Sequence, residues 1–129
     1  MPRKRKIFIS YKRNTEPDEM VALAIFKELS KGHEVFIDQV ISIGKNWGQV
    51  IEKQLHSSNF LICLVSEESI KSEMVVEEIA TAYRLSKQRK KNMILPVRLN
   101  YTKELKYPLS AYLNSIIGIS GRAKMIPKI

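Results

Sequence analysis

Six consecutive apolar residues, Phe60 to Val65 (FLICLV), lead into a polar stretch from Ser66 to Ser72 and then a helix-periodic segment from Glu73 to about Lys87. An apolar run of this length suits a strand covered on both faces, as in a sheet held between layers of helices. Ser66 to Ser72 supplies turn and cap residues. In the helix that follows, Val75, Ile79, Ala82 and Ser86 fall on one face with Val76, Ala80 and Tyr83 beside them, a stripe for packing on the sheet. Glu78 is read as lying off that stripe, one turn beyond Met74. Its carboxylate is expected over the strand ends, where open α/β sheets bind ligands, and it is the candidate catalytic residue.

The remainder of the chain repeats this alternation. Ile7 to Tyr11 (IFISY) reads as the first strand, and Lys12 to Asn14 as a basic loop. Thr15 is placed to cap a helix with Pro17 and Asp18 in its first turn. That helix runs to about Lys31 on Val21, Ile25 and Leu29, and Gly32 is expected to close it in the left-handed conformation. Glu34 to Ile37 is the second strand. A connection from Asp38 to Asn46, containing Gly44, leads to Trp47 and a second helix on Val50, Ile51, Gln54 and Leu55. Asn92 to Arg98 is the fourth strand despite Pro96, and Tyr101 to Asn114 is irregular with one helical turn near Leu109 to Leu113. Ser115 to Ile119 is expected to be a fifth strand.

Strands alternating with helices predict an α/β, three-layer, flavodoxin-like fold with a five-stranded parallel sheet in the order 2-1-3-4-5. Strands one and three are then neighbours. The loops after them, Ser10 to Arg13 and Ser66 to Ser69, border the switch-point crevice. Residues 1–6 read as a basic tail, 7–120 as the domain, and 121–129 as a tail beginning a linker to a further domain.

A single domain of 129 residues with 44% hydrophobic content is large enough for a packed core. The charge is lopsided, 22 Lys plus Arg against 13 Asp plus Glu, for a net +9. Much of the excess sits in two clusters, Arg3 to Lys6 and Lys87 to Lys91, each of which alone reads as a tail or a solvated helix end. Nucleic-acid binding would rest on charge alone, since neither cluster has interleaved aromatics or a recognition motif, and nucleic acid is not an expected partner. Cys63, the single cysteine, lies in the apolar run and has no catalytic context. No apolar stretch reaches the roughly 18 residues of a membrane span, and the expected location is the cytoplasm. His33 and His56 lack ligand spacing, so no metal is expected. A Gly-rich dinucleotide fingerprint and a P-loop are both missing, so no bound cofactor is expected.

Four ordered stretches resemble the TIR domains, in particular those at the N-terminus of bacterial multidomain proteins. They are IFISYKR (Ile7 to Arg13), EVFID (Glu34 to Asp38) with the following loop, FLICLVSEESIKSEMVVEEI (Phe60 to Ile79) and ILPVRL (Ile94 to Leu99). The resemblance implies a flavodoxin-like fold and one of two roles, cleavage of NAD or signalling by association between TIR domains in a defence protein. It implies that Ile41, Ile43, Gly44 and Lys45 form the self-associating BB loop. It also places the family pattern of Ser, any residue, Trp, three residues and catalytic Glu on Ser72, Met74 and Glu78. Met74 departs from that pattern, and its thioether can fill the same apolar gap.

For NAD as substrate, Arg13 is the preferred phosphate contact, with Lys12 beside it, the alternative being solvated loop cations. Tyr11, Phe36 and Trp47 are candidates to frame a ring or to pack the core, and Ser10 and Asp38 to orient ribose or loop groups. Glu77 is the neighbouring rival to Glu78. A phosphoacceptor receiver domain shares the predicted fold but needs acids at the ends of strands one and three, where this chain has Lys12, Arg13 and Ser66. The alternative to an enzyme is a TIR scaffold acting by assembly alone.

Overall fold

In a computed structural model of the chain, residues 4–37 and 47–117 are described, Trp47 and residues 115–117 by backbone alone. Four parallel strands, β1 (Lys6–Ser10), β2 (Glu34–Ile37), β3 (Phe60–Val65) and β4 (Ile94–Arg98), form a sheet in the order β2-β1-β3-β4. Four α-helices accompany them: α1 (Asp18–Leu29), α2 (Trp47–His56), α3 (Glu73–Arg89) and α4 (Leu109–Ile117). The architecture is α/β and flavodoxin-like, with β1 and β3 side by side as the alternation predicts.

Register decides which side chains share a face. Phe8 pairs with Leu61 and Ser10 with Cys63, so these four alternate with Ile7, Ile9, Ile62 and Leu64. On one face, Phe8, Leu61, Cys63 and Val65 pack against Ile51 and Leu55 of α2, Val75, Ile79 and Ala82 of α3, and Leu109 and Leu113 of α4. On the other, Ile7, Ile9, Ile62 and Leu64 pack against Ala22 and Ile25 of α1. β3 is buried along nearly its whole length, which is why it carries no polar alternation.

Local chemistry sets the length of α3. Ser72 is its N-cap and accepts from the Val75 N–H at 3.3 Å, with Glu73 in the first turn. Lys87 and Arg89 occupy the last turn, and Lys90 closes it in the left-handed region at φ 55°. Pro96 sits in β4 opposite Cys63. Among the described strands β4 is outermost, where a missing donor disturbs only one ladder.

Three local expectations are corrected. No fifth strand is present among the described residues: the backbone of residues 115–117 continues α4, whose Leu109 and Leu113 pack on the core with Tyr112 against them, and residues 118–119 lie outside the described residues. Thr15 does not cap α1. Its hydroxyl donates to the Arg13 carbonyl at 3.3 Å and its own carbonyl accepts from Glu19 N–H at 2.8 Å. Helix α1 stops at Leu29 without a left-handed Gly32, because the Leu29 carbonyl is taken by the His33 N–H at 2.9 Å.

Leu61, fully buried between β1 and β4, gives a direct check on this core. Leu61→Ala is expected to lower the unfolding free energy by about 2–5 kcal/mol in urea titrations at an unchanged m-value.

Candidate active site at the carboxyl edge of the sheet

Ser10, the last residue of β1, points to the same face as Phe8 and so toward α3. There its hydroxyl donates to Oε1 of Glu78 at 2.6 Å. That length falls in the charge-assisted range for a hydroxyl on a carboxylate. Glu78 is only 1% exposed, and Ser10 is equally buried. Contrary to the reading that set it off the packing stripe, Glu78 is part of it: the buried positions of α3 are Val75, Glu78, Ile79, Ala82 and Leu85. The spacing explains this, since Glu78 is three residues after Val75 and four before Ala82. A carboxylate thus occupies a core position at the one level where the facing strand offers a hydroxyl.

Arg13 and Met74 meet beside this pair, with Nη2 of Arg13 3.9 Å from the Met74 sulfur. Met74 lies one helical turn before Glu78, so the guanidinium stands over the first turn of α3 at the same edge of the sheet. Lys12 is half-buried in the same loop. Ser10, Arg13, Met74 and Glu78 are therefore brought together.

The candidate aromatics separate. Tyr11 is buried in the α1-side cluster, while Phe36 lies on the opposite face with its ring 5.0 Å from that of Phe8. These two rings cannot frame one ligand between them. Phe36 shares the face of Ser10 and Glu78. Trp47 begins α2, and Asp38, Ile41, Ile43, Gly44 and Lys45 lie outside the described residues.

A second buried carboxylate escaped the sequence reading. Asp18, 1% exposed, accepts a short hydrogen bond from the Ser66 hydroxyl at the end of β3. Ser66 and Ser69 then bond reciprocally: Ser66 N–H donates to Ser69 Oγ at 2.8 Å and Ser69 N–H to Ser66 Oγ at 3.0 Å. This ties the loop after β3 to the first turn of α1. The available signal was periodicity, because Asp18, Ala22 and Ile25 are the buried residues of α1 and share one stripe.

Cys63 sits behind the site, paired in register with Ser10. Burial pushes its thiol from the ordinary 9.0 up to about 12; a backbone hydrogen bond opposes this rise and the charge of Glu78 adds to it. It is therefore an inert thiol at neutral pH. Among the described residues, no group of three or more His, Cys, Asp or Glu side chains is arranged to hold a metal, and no helix is long and apolar enough to cross a membrane.

The family model described as TIR domain matches residues 7–124. Among solved structures, a metazoan TIR-STING receptor from C. gigas is 26% identical at a TM-score of 0.63, over 83% of this chain and 35% of its own. The activated Roq1 resistosome that directly recognizes the pathogen effector XopQ matches through its TIR domains at 18% identity and a TM-score of 0.61, over 75% and 58%. The TIR domain of the Toll-related receptor TRR-2 from Hydra magnipapillata is 18% identical with a TM-score of 0.56, over 83% and 78%. The chain thus spans 58% of the Roq1 chain and 35% of the C. gigas receptor. No curated protein sequence matches it.

Ser10→Ala removes a donor from a buried carboxylate and is expected to cost about 1–3 kcal/mol in denaturant unfolding, far more than Ser57→Ala at the exposed end of α2. The thiol supplies a pH test. Cys63 holds its proton more tightly folded than unfolded, so its contribution is intact below pH 9.0 and is lost as pH rises toward about 12. The stability difference between wild type and Cys63→Ala should be flat below that window and shrink within it by about 1.4 kcal/mol per pH unit, measured by urea unfolding across pH.

Proposed function

The chain belongs to the TIR domain family, and on that premise we propose that it cleaves NAD, releasing nicotinamide and leaving ADP-ribose or a cyclic variant. The observation that carries this reading is Glu78, a carboxylate fixed by Ser10 at the carboxyl edge of β1, with Arg13 over the same helix turn through Met74. In an open α/β sheet this edge is where ligands bind.

The chemistry needs one carboxylate. The nicotinamide ring of NAD is cationic, so when its bond to the ribose breaks it leaves with the bonding pair as a neutral molecule and requires no proton. Ordinary glycoside hydrolysis needs a second acid because its leaving group is an alkoxide. Glu78 hydrogen-bonds the ribose hydroxyls and stabilises the oxocarbenium charge as it develops. Water then adds to the anomeric carbon and gives up a proton, or the substrate's own adenine closes the ring. Arg13, with Lys12 beside it, meets the diphosphate as a charge-assisted donor. Phe36, on the same face as Ser10, is assigned to the ring-lining side of the crevice.

A side chain sealed from solvent to the level of Glu78 meets a substrate only after this edge rearranges. Self-association through residues 41–45 supplies that step in our reading, so the domain works as part of an assembly in a signalling or defence protein of the cytoplasm. The C. gigas receptor, in which the matched part covers 35% of the chain, supports further domains beyond this one.

The test follows nicotinamide release from NAD by the domain at high concentration or clustered on a multivalent support. Wild type should release nicotinamide, Glu78→Gln should lose at least about a hundredfold in rate with its thermal melt retained, and Glu77→Ala should stay near wild type. Loss in the Glu77 variant alone would move the assignment by one residue. No release from the clustered wild type would leave the scaffold reading.

A further inference from the structure

The described part of the first basic cluster, residues 4–6, and the second, Lys87 to Lys91, stand about 80 residues apart in the chain, and the fold brings them to one place. At the amino-terminal edge of the sheet, the stretch entering β1 meets the turn after α1, the turn after α2 and the end of α3. Arg5 N–H donates to Nδ1 of His33 at 3.0 Å, and Lys6 Nζ lies 2.5 Å from Ser57 Oγ. Arg89 donates to the carbonyls of Ser58 at 2.9 Å and His56 at 2.6 Å. Arg5, Arg89 and Lys91 line one open cleft of about 270 Å³, together with Ser57, Ser58 and Asn59.

The charge gathered there is largely uncompensated. Lys27 lies in the last turn of α1, Lys53 and His56 in that of α2, and Lys87 and Arg89 in that of α3. Lys90 and Lys91 follow, both exposed. The carboxylates Glu28 and Glu34 are each already met by a cation, Lys31 at 3.0 Å and Lys6 at 3.8 Å. Helix carbonyl ends neutralise part of such charge, but α3 alone carries two cations in its last turn and two more just beyond it. The opposite edge is mixed, with Glu67, Glu68 and Glu73 beside Lys71 and Lys103. Among the described residues the unpaired basic excess is therefore greatest at the amino-terminal edge, while at the carboxyl edge Lys12 and Arg13 stand among several carboxylates.

We propose that this basic edge is a docking surface for the phosphate backbone of nucleic acid, bound without regard to sequence. Several cations fixed on one rigid face engage several phosphates of one polymer at once and release its condensed counterions, which neither cluster does as a separate tail. The cleft between Arg5, Arg89 and Lys91 is lined by polar groups suited to a phosphate oxygen. An anionic membrane is the poorer partner. The exposed large hydrophobics among the described residues, Met20, Leu23, Val50 and Tyr107, lie outside this edge, and stable membrane attachment needs an apolar anchor besides charge. Because the edge is remote from the crevice, docking leaves the NAD site open, and the proposal stands whether or not NAD is cleaved.

Fluorescence anisotropy of a labelled mixed-sequence DNA duplex, titrated with the full chain across KCl concentrations, tests it. Wild type should bind with an affinity that falls steeply with salt. Lys53→Gln/Lys87→Gln/Lys91→Gln should bind at least about tenfold more weakly, with a salt slope shallower by about 0.9 for each phosphate that is no longer neutralised. Lys4→Gln/Arg5→Gln, on the other cluster, should weaken binding in the same sense, and circular dichroism melts verify that each variant is folded. Lys103→Gln/Lys106→Gln, at the opposite edge, should bind as wild type does. The proposal is overturned if the two basic-edge variants match wild type, if the Lys103/Lys106 variant weakens as much as they do, or if phosphatidylserine vesicles are bound and the duplex is not.

Discussion

The arrangement of this domain depends on a single hydrogen bond, from the Ser10 hydroxyl to the carboxylate of Glu78 at 2.6 Å. A carboxyl group in a core position of a helix is a liability of several kcal/mol unless its charge is met by donors. The sheet meets it by ending β1 in a serine whose side chain falls on the α3 face. The register between β1 and β3 is thereby coupled to the rotation of α3, because a slip of one residue in either would turn the hydroxyl to the other face.

The same device occurs on the opposite face. Ser66, the residue after β3, meets Asp18 of α1, so a serine at the carboxyl end of each of two adjacent parallel strands holds a buried helix carboxylate, one on either side of the sheet. The Asp18 side is locked further by the reciprocal Ser66 and Ser69 bonds, which give the loop after β3 its shape before Ser72 starts α3. The position of Glu78 over the edge thus follows from a chain of contacts that begins in α1. The TIR fold sets where the edge lies, and these serines set how the two buried carboxylates are held there.

Much of this was legible in the sequence because the responsible signals are local. FLICLV has the length and composition of a strand buried on both faces, and the alternation of elements left few orders for the strands. Glu78 was legible as a candidate but not as a core residue, since a stripe traced through apolar side chains alone passes over a carboxylate between Val75 and Ala82. Asp18 was overlooked for the same reason: an acid in a first turn looks like a partner for the helix dipole. The end of α4 was misread because Ile116 and Ile117 favour strands by type, while the helix is set by Leu109 and Leu113 packing on the core. The convergence of the basic clusters could not be read at all, being a property of three helix ends and a strand start meeting in space.

The two edges of the sheet differ among the described residues, with a cation cluster at the amino edge and a sealed carboxylate beside Arg13 at the carboxyl edge. The central claim concerns that carboxylate. Its most direct test is a crystal structure of the assembled domain with a non-cleavable NAD analogue, read as the distance from the Glu78 carboxyl oxygens to the nicotinamide ribose hydroxyls. The account predicts hydrogen-bond distances of about 2.6–3.2 Å, with Arg13 on the diphosphate. An analogue seated elsewhere, with Glu78 still closed on Ser10 and remote from the ribose, would contradict it.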